Sequence, residues 1–242
     1  MKVLILGGTA EASTIAERLA ERADVYVITS LAGRTRAPRE VAGELRVGGF
    51  GGVDALADYL KEHRIDLLID ATHPFAVQIS ANAAEACTAA KVERLQLRRP
   101  PWTQTAADHW IEVDDGLDAA EALRNGKFRR AFLATGRQEL PAFSDLADIW
   151  FLVRLVDAPA AALPLSSYEV VTGRGPFIEA EECRLLRDQK VDVIVAKNAG
   201  GSGSWPKMAA ARTLGIPVIM IKRSVASDDA FVESVDEIMK RF

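Results

Sequence analysis

The residues with the most evident chemistry stand at Gly7-Gly8-Thr9-Ala10-Glu11, between an apolar run and a helical pattern. Lys2–Leu6 is short and almost wholly apolar, as suits a strand buried on both faces. Ala12, Ile15, Ala16, Leu19 and Ala20 then recur at the spacing of one helix face. Strand, glycine turn and helix bring backbone N–H groups and a positive helix end together, an arrangement that receives a pyrophosphate. Against the pattern G-x-G-x-x-G the register gives Gly7, Thr9 and Ala12, so a tight βα turn without a ligand fits the same residues. Thr9 is placed to cap the helix through its hydroxyl. Glu11 suits the helix dipole but would repel a phosphate lying too near.

A second strand is predicted over Asp24–Thr29, followed by Ser30-Leu31-Ala32-Gly33-Arg34-Thr35-Arg36. An NAD site would carry an acid here for the ribose 2′-hydroxyl, and none is present. Ser30, Arg34, Thr35 and Arg36 instead offer hydroxyls and guanidinium forks suited to a 2′-phosphate. This favours NADP over NAD and over S-adenosylmethionine, with a solvated basic loop as the plainer alternative. The cluster Val47-Gly48-Gly49-Phe50-Gly51-Gly52 precedes a helical pattern at Val53, Leu56, Ala57 and Leu60. Gly49 and Gly51 either pass beside the cofactor or form a turn only. Ile65–Asp70 reads as a third buried strand, ending in Ala71-Thr72-His73-Pro74-Phe75-Ala76. With Pro74 as the first position of the next helix, Thr72, His73 and Phe75 fall at the carboxyl edge of the sheet, where ligands bind. His73 is there either as a structural residue or as an acid-base group.

The second half repeats the theme. Strands over Arg130–Ala134, Tyr168–Val171 and Val191–Ala196 end respectively in Thr135-Gly136-Arg137, Thr172-Gly173-Arg174-Gly175-Pro176-Phe177 and Lys197-Asn198-Ala199-Gly200-Gly201-Ser202-Gly203-Ser204. Arg137, Arg174 and Lys197 on one rim, with the N–H groups of Gly200, Gly201, Ser202 and Gly203, argue for an anionic ligand, most economically a polycarboxylate. Further strands are predicted at Ile149–Leu155 and Pro217–Ile221. Phe231, Val235, Ile238, Met239 and Phe242 mark a closing helix.

The elements that position these residues fit a chain of 242 residues, 49% hydrophobic and 26% charged, with one large or two small domains. A net charge of −4 gives no basic surface for nucleic acid, and no apolar run approaches the ~20 residues of a membrane span. Cys87 and Cys183 fall in helical stretches without a C-x-x-C, so free buried thiols in a reducing, cytoplasmic setting are expected. With only three histidines a metal centre is not expected. Arg98-Arg99-Pro100-Pro101-Trp102 and the aperiodic run after it form the best linker signal, with the exact boundary open between 99 and 127.

Taken together, Gly7–Glu11, Ala71–Ala76, Thr172–Phe177 and Lys197–Gly203 make the chain resemble the precorrin-6A reductase family of cobalamin biosynthesis over essentially its full length. The resemblance implies an α/β protein of two Rossmann-like domains with mainly parallel sheets and a cleft between them. It implies NADPH-dependent reduction of one double bond of the precorrin-6A macrocycle to give precorrin-6B, a substrate whose carboxylates suit the cationic rim. On this reading residues 1–113 bind NADPH through Gly7, Gly8, Thr9, Ala10, Glu11, Ser30, Leu31, Ala32, Gly33, Arg34, Arg36, Gly49, Gly51, Thr72, His73 and Phe75. Residues 114–242 bind the tetrapyrrole through Arg137, Arg174, Lys197, Asn198, Gly200, Gly201, Ser202 and Gly203. No Tyr-x-x-x-Lys pair is present, so His73, solvent or a substrate carboxyl is left to supply the proton. Other enzymes of the pathway are conceivable partners. Two alternatives stay open: the same reduction on the cobalt-containing macrocycle of the anaerobic pathway, with NADH, and a non-enzymatic sensor of nicotinamide cofactors. The sensor would need an output module, and no helix-turn-helix or basic tail is evident.

Overall fold

The computed structural model describes residues 1–33, 40–223 and 231–242. It divides into two units, Met1–Pro100 with Ser227–Phe242, and Pro101–Ala226. The first contains β1 (Lys2–Leu6), α1 (Ala10–Ala20), β2 (Tyr26–Leu31), β3 (Glu44–Val47), α2 (Val53–Glu62), β4 (Leu67–Asp70), α3 (Val77–Ala90) and β5 (Glu93–Leu97). The second contains β6 (Trp110–Val113), α4 (Gly116–Asn125), β7 (Arg130–Ala134), a 3₁₀ segment (Arg137–Phe143), β8 (Trp150–Leu155), β9 (Tyr168–Thr172), α5 (Glu179–Asp188), β10 (Val193–Lys197), α6 (Pro206–Leu214) and β11 (Val218–Ile221). The chain then returns to the first unit with β12 (Phe231–Val232) and α7 (Val235–Met239).

Each unit has a six-stranded sheet in which all pairings are parallel. The first runs β3-β2-β1-β4-β5-β12, the doubly wound order 3-2-1-4-5-6. The second runs β9-β8-β7-β10-β11-β6, the same order except that its sixth strand comes from the chain ahead of it. The order reverses between β1 and β4 in one sheet and between β7 and β10 in the other. Those are the points at which doubly wound sheets receive ligands.

Parallel strands need cover on both faces, and the sequence supplies it. Ala12, Ile15, Ala16 and Leu19 of α1 pack on Val3, Ile5 and Ile69, together with Ile238 of α7. Leu56, Ala57 and Leu60 of α2, with Ala83, Ala86 and Cys87 of α3, cover Leu4, Leu6 and Leu68 from the other side. In the second unit Cys183 and Leu186 of α5 and Met208 and Ala211 of α6 pack on Phe132, Ile194 and Met220. Both cysteines are buried and free, and burial pushes the Cys87 thiol up to about 11.

Three expectations change. The break falls at Pro100–Pro101 and not after residue 113, because β6 pairs with β11 (Trp110↔Val218) and Trp102 packs on the second core. The closing segment belongs to the first unit: Phe231 and Val232 pair with Gln96 and Leu97, and Arg18 Nη1 bonds Asp236 Oδ1 at 2.6 Å. Without β12, β5 would be a bare sheet edge. The helix placed at Pro74 starts at Val77, since residues 71–76 turn first, with the Ala76 N–H on His73 O at 2.7 Å. Strand β3 carried no readable signal, being a short edge with Leu45 and Val47 exposed.

Candidate functional site

At the switch point of the first sheet one hydroxyl ties two turns together. Thr9 caps α1 by accepting from the Ala12 N–H at 3.1 Å, and its hydroxyl donates to Ala71 O at 2.7 Å. Gly8 adopts φ +103°, where an L-side chain is strained, and no atom lies within 4 Å of a Cβ built there. Among the described residues the N–H groups of Gly8, Thr9 and Ala10 have no acceptor. Gly7 is constrained differently: its N–H bonds Ser30 O at 3.0 Å, and a Cβ would stand 3.1 Å from Leu31 Cδ2 and 3.2 Å from Thr29 Cγ2. Crowding by β2 is therefore sufficient reason for that glycine.

Glu11 pairs with Arg99 at 2.6 Å, both largely buried. Burial pulls the Glu11 carboxyl upward, but the Arg99 hydrogen bond and charge outweigh it and hold the pKa below the usual value, with the nearby His73 adding to the effect. The negative charge at the helix start is thus offset by Arg99. Across the switch point Asp70, 1% exposed, accepts from the Thr72 hydroxyl at 2.7 Å and from Arg94 Nη2 at 3.1 Å. Thr72 also meets Ser80 Oγ at 3.2 Å, so its hydroxyl is held inward. His73 is exposed, and its Nδ1 accepts from the Phe75 N–H at 3.3 Å.

At the far side of the same edge, the Leu31 carbonyl accepts from Gly48 N–H at 2.8 Å, while Ala32 and Gly33 are exposed. Arg34 and Arg36 lie outside the described residues. Among the described residues there is a cation the sequence reading passed over: Arg46 donates to Ser30 Oγ at 3.2 Å, Gly48 O at 2.6 Å and Gly49 O at 3.0 Å. The start of the glycine run, Gly48 to Phe50, therefore folds against an arginine, and Gly49 contributes through its carbonyl.

In the second unit Lys197 Nζ meets Glu139 Oε1 at 2.6 Å, joining the β10 end to the 3₁₀ segment that Arg137 begins. Arg137 is exposed and donates to Asp157 O at 3.4 Å, and Arg174 is exposed in the turn after β9. That turn touches the glycine loop, with the Phe177 N–H on Gly203 O at 3.4 Å. The rim is therefore two exposed arginines and one ion-paired lysine. Asn198 is spent structurally: buried, it accepts from Trp102 N–H at 2.8 Å and donates to Trp102 O at 3.0 Å, while the Trp102 indole donates to Gly201 O at 2.8 Å. Among the described residues the N–H groups of Gly200, Gly201, Ser202, Gly203 and Ser204 have no acceptor, leaving five consecutive donors at this switch point. Behind them Lys207 is buried, its Nζ donating to Ser204 O at 2.8 Å. Burial, with the nearby Arg154 charge, lowers its pKa to about 7 against the opposing pull of Glu182.

Arg99, Asp70 and Trp102 were missed as positioning residues. The one signal that could have found any of them was an acid ending a buried strand two residues before Thr72. Among the described residues no group of His, Cys, Asp and Glu could hold a metal ion, and no helix is long and apolar enough to cross a membrane.

Two parallel sheets of the same doubly wound order, each with unpartnered N–H groups at its switch point, define a protein of two Rossmann-like α/β units. The chain belongs to the Precorrin-6x reductase CbiJ/CobK family, whose profile matches residues 2–242. It is 47% identical over 240 residues to a precorrin-6A reductase of Sinorhizobium sp, covering 99% of this chain and 92% of that protein. A precorrin-6A reductase of Rhodococcus erythropolis is 47% identical over 222 residues, 92% of this chain and 89% of the relative. A cobalt-precorrin-6A reductase of Methanocaldococcus jannaschii is more distant, 26% identical over 248 residues, 99% and 97% of the two chains. A solved CobK precorrin-6A reductase superposes with a TM-score of 0.95 at 43% identity, covering all of this chain and 95% of that one.

Proposed function

We propose that this chain is a cytoplasmic enzyme that reduces one double bond of precorrin-6A with NADPH, giving precorrin-6B. The observation that carries the cofactor reading is the β1–α1 turn. Gly8 leaves space, three N–H groups lack acceptors, and Glu11 is neutralised by Arg99, so a pyrophosphate fits there without repulsion. The described end of β2 carries no acid, which favours the 2′-phosphate of NADPH over the bare ribose of NADH. When bound, NADPH supplies the hydride. The chain's own residues would bind and orient it: the N–H groups of Gly8, Thr9 and Ala10 would hold the phosphates, and Thr72 and Phe75 would shape the neighbouring edge. His73, exposed beside them, is the residue we assign to proton transfer.

The second unit takes the carboxylates of the macrocycle. Its support is the run of five free N–H donors flanked by Arg137 and Arg174. The metal-free substrate is preferred because the relatives named for it stand at 44–47% identity, against 26–27% for those named for the cobalt form.

The test is to mix the purified chain with precorrin-6A and NADPH, following nicotinamide absorbance and the visible band of the macrocycle together. Stoichiometric loss of NADPH with a shortened conjugation is expected, with NADH and cobalt-precorrin-6A as poorer partners. Binding of both ligands without any spectral change would favour a sensor and refute the assignment.

A further inference from the structure

The adenosine end of the first unit holds a cation with an unusual set of partners. Arg46 sits on β3 directly opposite Ser30 of β2 in the parallel register. Its guanidinium has five N–H donors, of which three go to neutral oxygens: Ser30 Oγ, Gly48 O and Gly49 O. It lies over the Phe50 ring at 3.7 Å, and Phe50 is itself braced edge-on by Tyr59 at 5.1 Å. No carboxylate reaches it within ion-pair distance among the described residues. Glu44, two positions back on the same strand, accepts instead from the Tyr26 hydroxyl at 2.7 Å. A half-buried guanidinium would ordinarily be matched by an anion. This one is pinned by carbonyls and an aromatic face, with charge and two N–H groups still to be satisfied.

Its place in the fold says which anion. In doubly wound units the end of β2 meets the ribose 2′ position, and Ser30 is the penultimate residue of β2. We infer that Arg46, presented through Ser30 and Phe50, reads the 2′-phosphate and sets the preference for NADPH over NADH. The inference rests on the nucleotide reading of the first unit. It gives β3 a part in the discrimination through Arg46. The geometry is preorganised, since the guanidinium needs no further side chain to hold it in place.

The test is binding of two fragments, 2′,5′-ADP and 5′-AMP, to the full chain by calorimetry. The wild type should prefer 2′,5′-ADP. Arg46→Gln removes the charge and should cut that preference by about tenfold or more, the range of a lost charge-assisted hydrogen bond, while 5′-AMP binding holds. Arg46→Lys returns a charge and should recover part of the preference. An equal loss of both fragments in Arg46→Gln would mean that the arginine only shapes the glycine loop, and overturns the inference. So does an unchanged preference in Arg46→Gln, which leaves the nucleotide reading of the unit intact. A wild type that binds neither fragment overturns that reading, and the inference with it.

Discussion

Replacing Lys207 by Met tests whether a charged amine is held out of water behind the glycine loop of the second unit. Its pKa falls from 10.5 to about 7 through burial, with Arg154 adding like charge and Glu182 only partly offsetting it. The sign follows from linkage. Below pH 7 the folded protein carries the ammonium as the unfolded chain does, and the full burial penalty applies. Between pH 7 and 10.5 only the unfolded chain binds the proton, so stability rises with pH. At 1.36 kcal/mol for each pH unit the full penalty is about 5 kcal/mol, and roughly 2 kcal/mol of it disappears between pH 7 and pH 9. The Met variant loses the bond to Ser204 O, about 1 kcal/mol, at every pH. Wild type minus variant should therefore become more favourable to wild type by roughly 2 kcal/mol over that interval. All four tryptophans, Trp102, Trp110, Trp150 and Trp205, lie in the second unit, so urea unfolding followed by their fluorescence reports on that unit alone. A difference that stays constant from pH 7 to pH 9 would show that Lys207 remains hydrated and charged, and the reasoning fails.

Gly8→Ala places a Cβ in open space at φ +103°, so its effect is backbone strain of about 1–3 kcal/mol. We expect a melting temperature lower by a few degrees and weaker binding of 2′,5′-ADP, and normal binding would move the phosphate site away from this turn. Arg174→Ala should raise KM for the tetrapyrrole more than it lowers kcat, because a carboxylate contact exists before and during reduction. Added salt should mimic the substitution in the wild type, while NADPH affinity measured without substrate stays put. Loss of NADPH binding in Arg174→Ala would reverse the roles given to the two units.

Local pattern was enough for the parts of this protein that local physics controls. The buried run Lys2–Leu6, the glycine break and the 3.6-residue spacing from Ala12 to Leu19 determined β1 and α1, and Thr9 caps that helix because its hydroxyl is the nearest acceptor. The strands ending at Asp70, Ala134 and Lys197 were legible for the same reason: parallel strands covered on both faces are continuous apolar runs. What tertiary structure alone decided are partnerships over long sequence distances. Glu11 is neutralised by a residue 88 positions away, and Trp102 is clamped by one 96 positions away. Neither partner follows from periodicity, since each depends on which strand ends become neighbours when the order reverses. The return of Phe231 and Val232 to the first sheet is of the same kind: the segment is apolar enough to bury anywhere, and the open edge of β5 selected its place.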